Sequence, residues 1–205
     1  MRLYCATTNP GKLREFRLAL EDWFDVESLP DLAKIPPCEE TGVTFEENAT
    51  QKALYYSNFC DDSLFVDDSG LEVDALRGAP GVYSARFAGS DATDQVNNRL
   101  VLERMRGVSN RTARFVCVVA LARAGKLIRT FRGEVEGVLT EAPRGSNGFG
   151  YDPLFFYPPF GCTFGEAPLD RKMAVSHRAR ALRAMREFLN ACESPPVHPP
   201  SSASH

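Results

Sequence analysis

The chain has 205 residues, 43% of them hydrophobic, and a formal net charge of −3, enough apolar material for one sizeable globular domain. The acidic balance argues against a general nucleic-acid binder, which needs a basic surplus. No apolar run nears the ~20 residues that span a bilayer, and Arg2 is not followed by a secretory apolar core, so a membrane protein is not expected.

Residues 2–6 predict a short strand. Thr7-Thr8-Asn9-Pro10-Gly11-Lys12 follows, and apolar residues then recur at Leu13, Phe16, Leu20 and Phe24, the spacing of one helix face. Asn9 reads as the N-cap and Pro10 as the first helical position. Hydroxyls, an amide and a lysine thus gather at a helix start, where backbone N–H groups and the dipole favour an anion. Taken alone, the segment needs to be no more than an ordinary capped helix. Residues 25–37 read as irregular and proline-bearing. After Glu39 and Glu40, Thr44 and Glu47 form a capping box, and Phe45, Ala49, Ala53 and Tyr56 mark the inward face of a second helix. Leu64-Phe65-Val66 predicts a short strand that runs into Asp67-Asp68-Ser69-Gly70. A loop rich in glycine and proline, Gly78-Ala79-Pro80-Gly81, leads to Tyr83-Ser84-Ala85-Arg86.

Residues 93–106 predict a helix closed by Gly107. Two long β segments, 114–122 and 126–138, are expected to pair as a hairpin around Ala124-Gly125, with a lobe of their own as one arrangement. The turn-rich run 145–153 precedes apolar residues 154–157. A last helix is expected from near Ser176 to about Cys192, with Leu182, Met185, Leu189 and Cys192 facing inward. From Ser194 the chain is rich in Pro, Ser and His, and residues 194–205 read as a disordered tail behind a single domain spanning 1–193. The six cysteines, Cys5, Cys38, Cys60, Cys117, Cys162 and Cys192, show no C-x-x-C spacing, and three sit in settings of buried thiols. Neither a zinc site nor a disulfide framework is indicated, and a reducing cytoplasm is the expected compartment.

Three constellations carry chemistry. Adjacent side chains on a strand point to opposite faces, so only one of Asp67 and Asp68 can face a given cleft. Carboxylate oxygens suit Mg²⁺, with Glu39 or Glu40 as the second ligand; a turn that ends a strand in acidic residues explains the same motif equally well. Ser176-His177-Arg178, with Lys172 upstream, places imidazole and guanidinium at a helix start, suited to phosphate or base contacts. The later Arg180, Arg183 and Arg186 read as a solvated basic face. Gly148-Phe149-Gly150-Tyr151-Asp152-Pro153 frames aromatic rings with glycines and could stack on a purine, or could be a packed turn. There is no Walker A motif, no G-x-G-x-x-G and no nucleophile elbow that would make a Ser-His-Asp triad of Ser176 and His177.

Taken in order, T-T-N-P-G-K at 7–12, E-E-T-G-V-T-F-E-E-N-A at 39–49, D-D-S-G-L-E-V-D at 67–74, G-A-P-G-V-Y-S-A-R-F at 78–87, N-G-F-G-Y-D-P at 147–153 and S-H-R at 176–178 resemble the inosine/xanthosine triphosphate pyrophosphatases. The resemblance covers residues 2–190. It implies an α/β, elongated two-lobed fold, with a central mixed sheet flanked by helices and a cleft between the lobes, usually as a homodimer. It also implies Mg²⁺-dependent hydrolysis of a non-standard purine nucleoside triphosphate to the monophosphate and pyrophosphate. By position, Thr7, Thr8, Asn9, Pro10, Gly11 and Lys12 would hold the triphosphate. Asp68 would be the catalytic carboxylate and a metal ligand, and Glu40, with Glu39 its rival, the second ligand. Ser69, Phe149, Gly150, Tyr151, Asp152, Lys172, His177 and Arg178 would contact the nucleotide, with Lys52 a further phosphate-side cation. Asn147 stands where a second glycine is expected; asparagine also tolerates left-handed backbone. A related pyrophosphatase for modified pyrimidine or methylated nucleotides and a nucleotide-binding regulator without hydrolysis are the alternatives.

Overall fold

The computed structural model describes residues 2–193; the tail from Ser194 lies outside the described residues. Seven strands form one mixed sheet in the order β2-β1-β3-β4-β5-β6-β7. They are β1 (Arg2–Cys5), β2 (Asp25–Ser28), β3 (Leu64–Val73), β4 (Thr112–Arg123), β5 (Lys126–Leu139), β6 (Phe155–Tyr157) and β7 (Cys162–Thr163). β1 runs parallel to both β2 and β3, and every later pairing is antiparallel.

Five helices flank the sheet: α1 (Pro10–Leu20), α2 (Phe45–Tyr56), α3 (Asp94–Arg104), α4 (Leu169–Met173) and α5 (His177–Glu193). α1 starts as its sequence requires, with the Asn9 side chain accepting the Lys12 N–H and Pro10 at the first position. α2 carries the complete capping box of Thr44 and Glu47. Strand alternation sorts β3: Phe65 joins Phe16, Leu20, Leu182 and Met185 beneath α1 and α5, while Leu64 and Val66 join Phe45, Ala49 and Ala53 beneath α2. A third cluster, around Leu71, Val101, Phe115, Val135 and Phe155, fills the far end of the sheet against α3.

Several expectations need correction. Residues 25–28 are not irregular but form edge strand β2, which pairs in register with β1; four residues with two exposed side chains carry too little periodicity to be read. The β4–β5 hairpin is not a lobe of its own. β4 pairs along the whole of β3 and supplies Cys117, Phe115 and Val116 to all three clusters. Most consequentially, β3 does not stop at Val66. It continues through Asp67-Asp68-Ser69-Gly70 to Val73, paired residue for residue with β4, so the acidic motif is not a strand-ending turn. α3 ends two residues earlier than predicted, and Thr93 caps it. Phe24 is buried although it lies beyond α1. Of the cysteines only Cys5 and Cys117 are buried; Cys192, expected to face inward, is exposed.

Candidate active site

β3 delivers two carboxylates to opposite faces of the sheet. Asp68 faces α2, where Lys52 Nζ sits 2.7 Å from its carboxylate and 3.1 Å from Glu40. The same Asn48 side chain accepts the Gly42 N–H at 2.8 Å and reaches Asp68 at 3.5 Å, tying the loop after Glu40 to β3. On the other side of Glu40, Arg86 approaches to 3.3 Å. Arg86 ends the 3-10 turn Gly81–Arg86, which packs so tightly over Gly70 that a Cβ there would collide with Ser84. Glu40 and Asp68 therefore converge on one ammonium. Burial pushes the Asp68 carboxyl up, outweighing Lys52, whereas Lys52 and Arg86 overcome burial at Glu40 and hold it down.

Asp67 faces α1 and α5. Lys12 Nζ lies 2.8 Å from it, and Arg178 reaches it at 3.2 Å while donating to Ser69 at 2.8 Å. Burial alone would raise this carboxyl, but Lys12 and Arg178 hold it well below the usual range. Glu15, buried one turn along α1 from Lys12, accepts from Lys172 at 2.8 Å and from Arg178. Lys172 also pairs with Asp152. Lys12 keeps partial exposure, but the side chains of Glu15, Asp67, Asp152, Lys172 and Arg178 are nine-tenths or more buried, so removing any one of these five would strand a buried charge.

The aromatic turn completes the pocket. The Asp152 carboxylate accepts the Phe149 N–H at 3.0 Å, and the Phe149 ring lies near Lys172 (5.1 Å) and Arg178 (5.5 Å). Gly11 permits this: a Cβ there would fall 2.5 Å from the ring. His177 stacks on Phe115 at 4.8 Å, is buried, and leaves Nδ1 without a partner. Burial, then Arg178 and Lys172, lowers its pKa well below 6.5, so the imidazole is neutral at pH 7.

The pocket brings together most of the residues singled out in the sequence: Asn9, Lys12, Glu40, Lys52, Asp68, Ser69, Phe149, Gly150, Tyr151, Asp152, Lys172, His177 and Arg178 all line it. Thr7, Thr8, Pro10 and Gly11 do not. Thr7 accepts the Asn9 N–H at 3.2 Å, Thr8 and Pro10 are exposed, and Gly11 backs Phe149. Since Pro10 has no N–H and Asn9 occupies that of Lys12, the segment presents the Lys12 ammonium more than backbone donors. Glu39 is exposed and off the pocket, which separates it from Glu40. The Tyr151 hydroxyl donates to the Ser84 carbonyl at 2.8 Å and is not free for a ligand. Asn147 does not take left-handed backbone; its amide donates to the Ala167 carbonyl at 3.2 Å, which a glycine could not do. Sequence reasoning missed Glu15, Asn48 and the use of Asp67. For Glu15 a signal existed, because i+3 spacing places it on the same helix face as Lys12.

Among the described residues no cluster of three or more His, Cys, Asp or Glu side chains could hold a metal ion by itself. The donor set fits Mg²⁺, which takes one or two protein carboxylates plus phosphate oxygens: Glu40 and Asp68 already share one cation.

The fold and the pocket define the class: a mixed-sheet α/β protein whose single pocket joins a carboxylate pair to an aromatic turn flanked by cations. More narrowly, residues 3–188 match the Ham1 family, and the chain belongs to that family. It is 51% identical to the dITP/XTP pyrophosphatase of an Exiguobacterium species, over 90% of this chain and 95% of that one. It is 49% identical to that of Geobacter sulfurreducens, over 92% and 96%. The fold matches the Ham1 protein of Staphylococcus aureus with a TM-score of 0.84 at 35% identity, covering 94% of this chain and 100% of that one. A HAM1 protein from Coxiella burnetii also gives 0.84, at 37% identity, covering 93% and 99%.

Proposed function

We propose that this protein is a nucleoside-triphosphate pyrophosphatase that hydrolyses non-standard purine nucleotides, dITP/ITP and XTP/dXTP, to the monophosphate and pyrophosphate. The observation that carries this reading is a single pocket in which Asp68, Glu40 and Lys52 meet at one end and Phe149, Lys172, His177 and Arg178 at the other. It is supported by the relatives that carry the dITP/XTP pyrophosphatase name across nearly their full length.

Water attacks the α-phosphorus: a new P–O bond forms, the bond to the bridging oxygen breaks, and pyrophosphate leaves. Asp68 orients that water and accepts its proton, its carboxylate standing on the pocket wall beside Lys52. Glu40 and Asp68 would hold Mg²⁺, which when bound supplies charge neutralisation for the triphosphate and the leaving pyrophosphate. The protein's own cations are largely committed, Lys12 to Asp67 and Arg86 to Glu40, which is the reason a polyphosphate needs this added charge. Lys12 and Lys52 each keep an ammonium N–H beyond those used on Asp67, Asp68 and Glu40 and offer it to phosphate oxygens, and Phe149 offers its ring to the base. Donors at His177 and Arg178, which line the pocket, favour a 6-oxo purine over a 6-amino one.

We carry with this reading a single domain over residues 1–193, a homodimer and a cytoplasmic setting. The continuous sheet supports the first. The six cysteines are all free, in keeping with a reducing compartment, and no helix among the described residues is long and apolar enough to cross a membrane. A nucleoside-triphosphate panel assayed separately for pyrophosphate and orthophosphate tests the function. Release of pyrophosphate from dITP and XTP well above that from dATP and dGTP is expected. Preference for a modified pyrimidine, or binding without hydrolysis, would overturn the reading.

A further inference from the structure

α3 meets the pocket with its first turns, and its contacts there are unusual in aim. Asp94 and Asn98 are four residues apart, hence on one helix face, and both engage a single residue of the aromatic turn. Asp94 Oδ2 accepts the Gly150 N–H at 2.7 Å, and Asn98 Nδ2 donates to the Gly150 carbonyl at 3.0 Å. The peptide on either side of Gly150 is thus held by an α3 side chain. One of these peptides joins Phe149 to Gly150, so Asp94 fixes the plane from which the Phe149 ring hangs. Gly150 has left-handed backbone with φ of 60° and is the residue type with the most alternative conformations to lose; Asp152 holds the Phe149 N–H from within the turn, and the two α3 side chains hold the polar groups of Gly150 itself from outside it.

Asn98 makes its bond while its own Oδ1 is buried with no partner. A buried polar atom left unpaired is costly, so an apolar residue would serve better if packing were the only demand at this position. The neighbouring Asn97, also buried, reaches the segment that carries Arg86. Its Oδ1 accepts the Ala88 N–H at 2.9 Å and its Nδ2 donates to the Ala85 carbonyl at 3.2 Å. One turn of α3 therefore braces both the aromatic turn and the segment whose Arg86 pairs with Glu40.

We propose that Asp94 and Asn98 are positioning residues for nucleobase selection: by clamping Gly150 they hold the Phe149 ring in register with the α1 start and the α5 start, and so set the affinity and base preference of the pyrophosphatase reaction without touching the reacting phosphorus. The inference rests on the reading of Phe149 as the face that meets the base.

The test uses the full chain with Mg²⁺ and compares dITP with dGTP for Asp94→Ala, Asn98→Ala and Phe149→Ala, singly and combined. Each α3 variant is expected to raise KM for dITP about tenfold, the equivalent of one hydrogen bond to a charged or buried group, with kcat little changed and the dITP-over-dGTP ratio reduced. Asp94→Asn keeps an acceptor oxygen and should recover most of the loss; Asn98→Asp, which sets a carboxylate against the Gly150 carbonyl, should not. In the Phe149→Ala background, Asp94→Ala should add nothing further. If Phe149→Ala raises KM while the α3 variants do not, or if their effects add in full, the positioning role is wrong. It is equally wrong if kcat falls together with thermal stability in both Asp94→Ala and Asp94→Asn. If Phe149→Ala itself leaves KM and base preference unchanged, it is the base-stacking reading that has failed.

Discussion

Asp67 and Asp68 are chemically identical and adjacent, yet their surroundings assign them different work. Asp67 is locked between Lys12 and Arg178, held ionised and off the pocket surface; Asp68 lines the pocket beside Lys52 and Glu40. Asp68→Asn should therefore lose about 10²–10⁴-fold in turnover, the range of a general base, while substrate affinity stays within severalfold, as read by single-turnover kinetics and direct titration. Near-normal turnover would remove the role given to Asp68. His177 makes a prediction about stability. It is buried and neutral, and Arg178, Lys172 and Lys12 oppose its charging more than Asp67 favours it. The unfolded chain takes up the proton near pH 6.5, whereas the folded chain does so only at a lower pH. Stability contributed by the neutral ring is thus present above pH 6.5 and is lost as pH falls from there toward the folded value. The other two histidines, His198 and His205, lie outside the described residues. Thermal melts from pH 7.5 to 5.5 should fall more steeply for the native chain than for His177→Gln; parallel slopes would contradict the neutral assignment.

At the scale of elements, the site depends on where helix starts dock. α1 brings Lys12 and Glu15, α5 brings His177 and Arg178, and the two are joined through Glu15 and Asp67 rather than by direct contact of the cations. The α5 start is seated on β5 at Gly133, where a Cβ would lie 2.6 Å from the Ala181 nitrogen and collide with the His177 carbonyl. Gly133→Ala should accordingly cost about 1–3 kcal/mol, the usual penalty for overpacking, measured by denaturant unfolding, and should also weaken substrate binding because it lifts His177 and Arg178. Unchanged stability would mean that the helix start is free to move. The elements that position the site were unevenly legible. The α1 cap and the α2 capping box were plain, because the bonds that make them close within three residues. Edge strand β2, the short β7 and the five-residue α4 were not, because they are stabilised by neighbours distant in the chain.

At the scale of the whole molecule, the protein is overall acidic yet is read as binding a polyphosphate. Local pairing resolves the tension only partly, since the pocket cations already have carboxylate partners. Activity should therefore vanish on chelation of divalent cations and return with Mg²⁺, followed by pyrophosphate release; full activity in excess chelator would overturn the proposed Glu40 and Asp68 pair. Light scattering of the full chain decides the proposed homodimer, with a monomer at assay concentration counting against it.

The sequence alone determined the kind of chemistry. Cap residues, capping box, the D-D-S-G carboxylates, the aromatic turn between glycines and the S-H-R helix start are local patterns, and their order along residues 2–190 sufficed to indicate the family and the set of groups in its pocket. Only the tertiary structure decided which of those groups face the pocket and which hold others in place. The choice of Glu40 over Glu39, the division between Asp67 and Asp68, the tied hydroxyl of Tyr151 and the clamp from α3 onto Gly150 all depend on contacts between residues far apart in the chain. Glu15 and Arg178, 163 positions apart, leave no trace in local spacing, because burial forces charges to find partners wherever the fold brings them, and sequence distance does not enter that requirement.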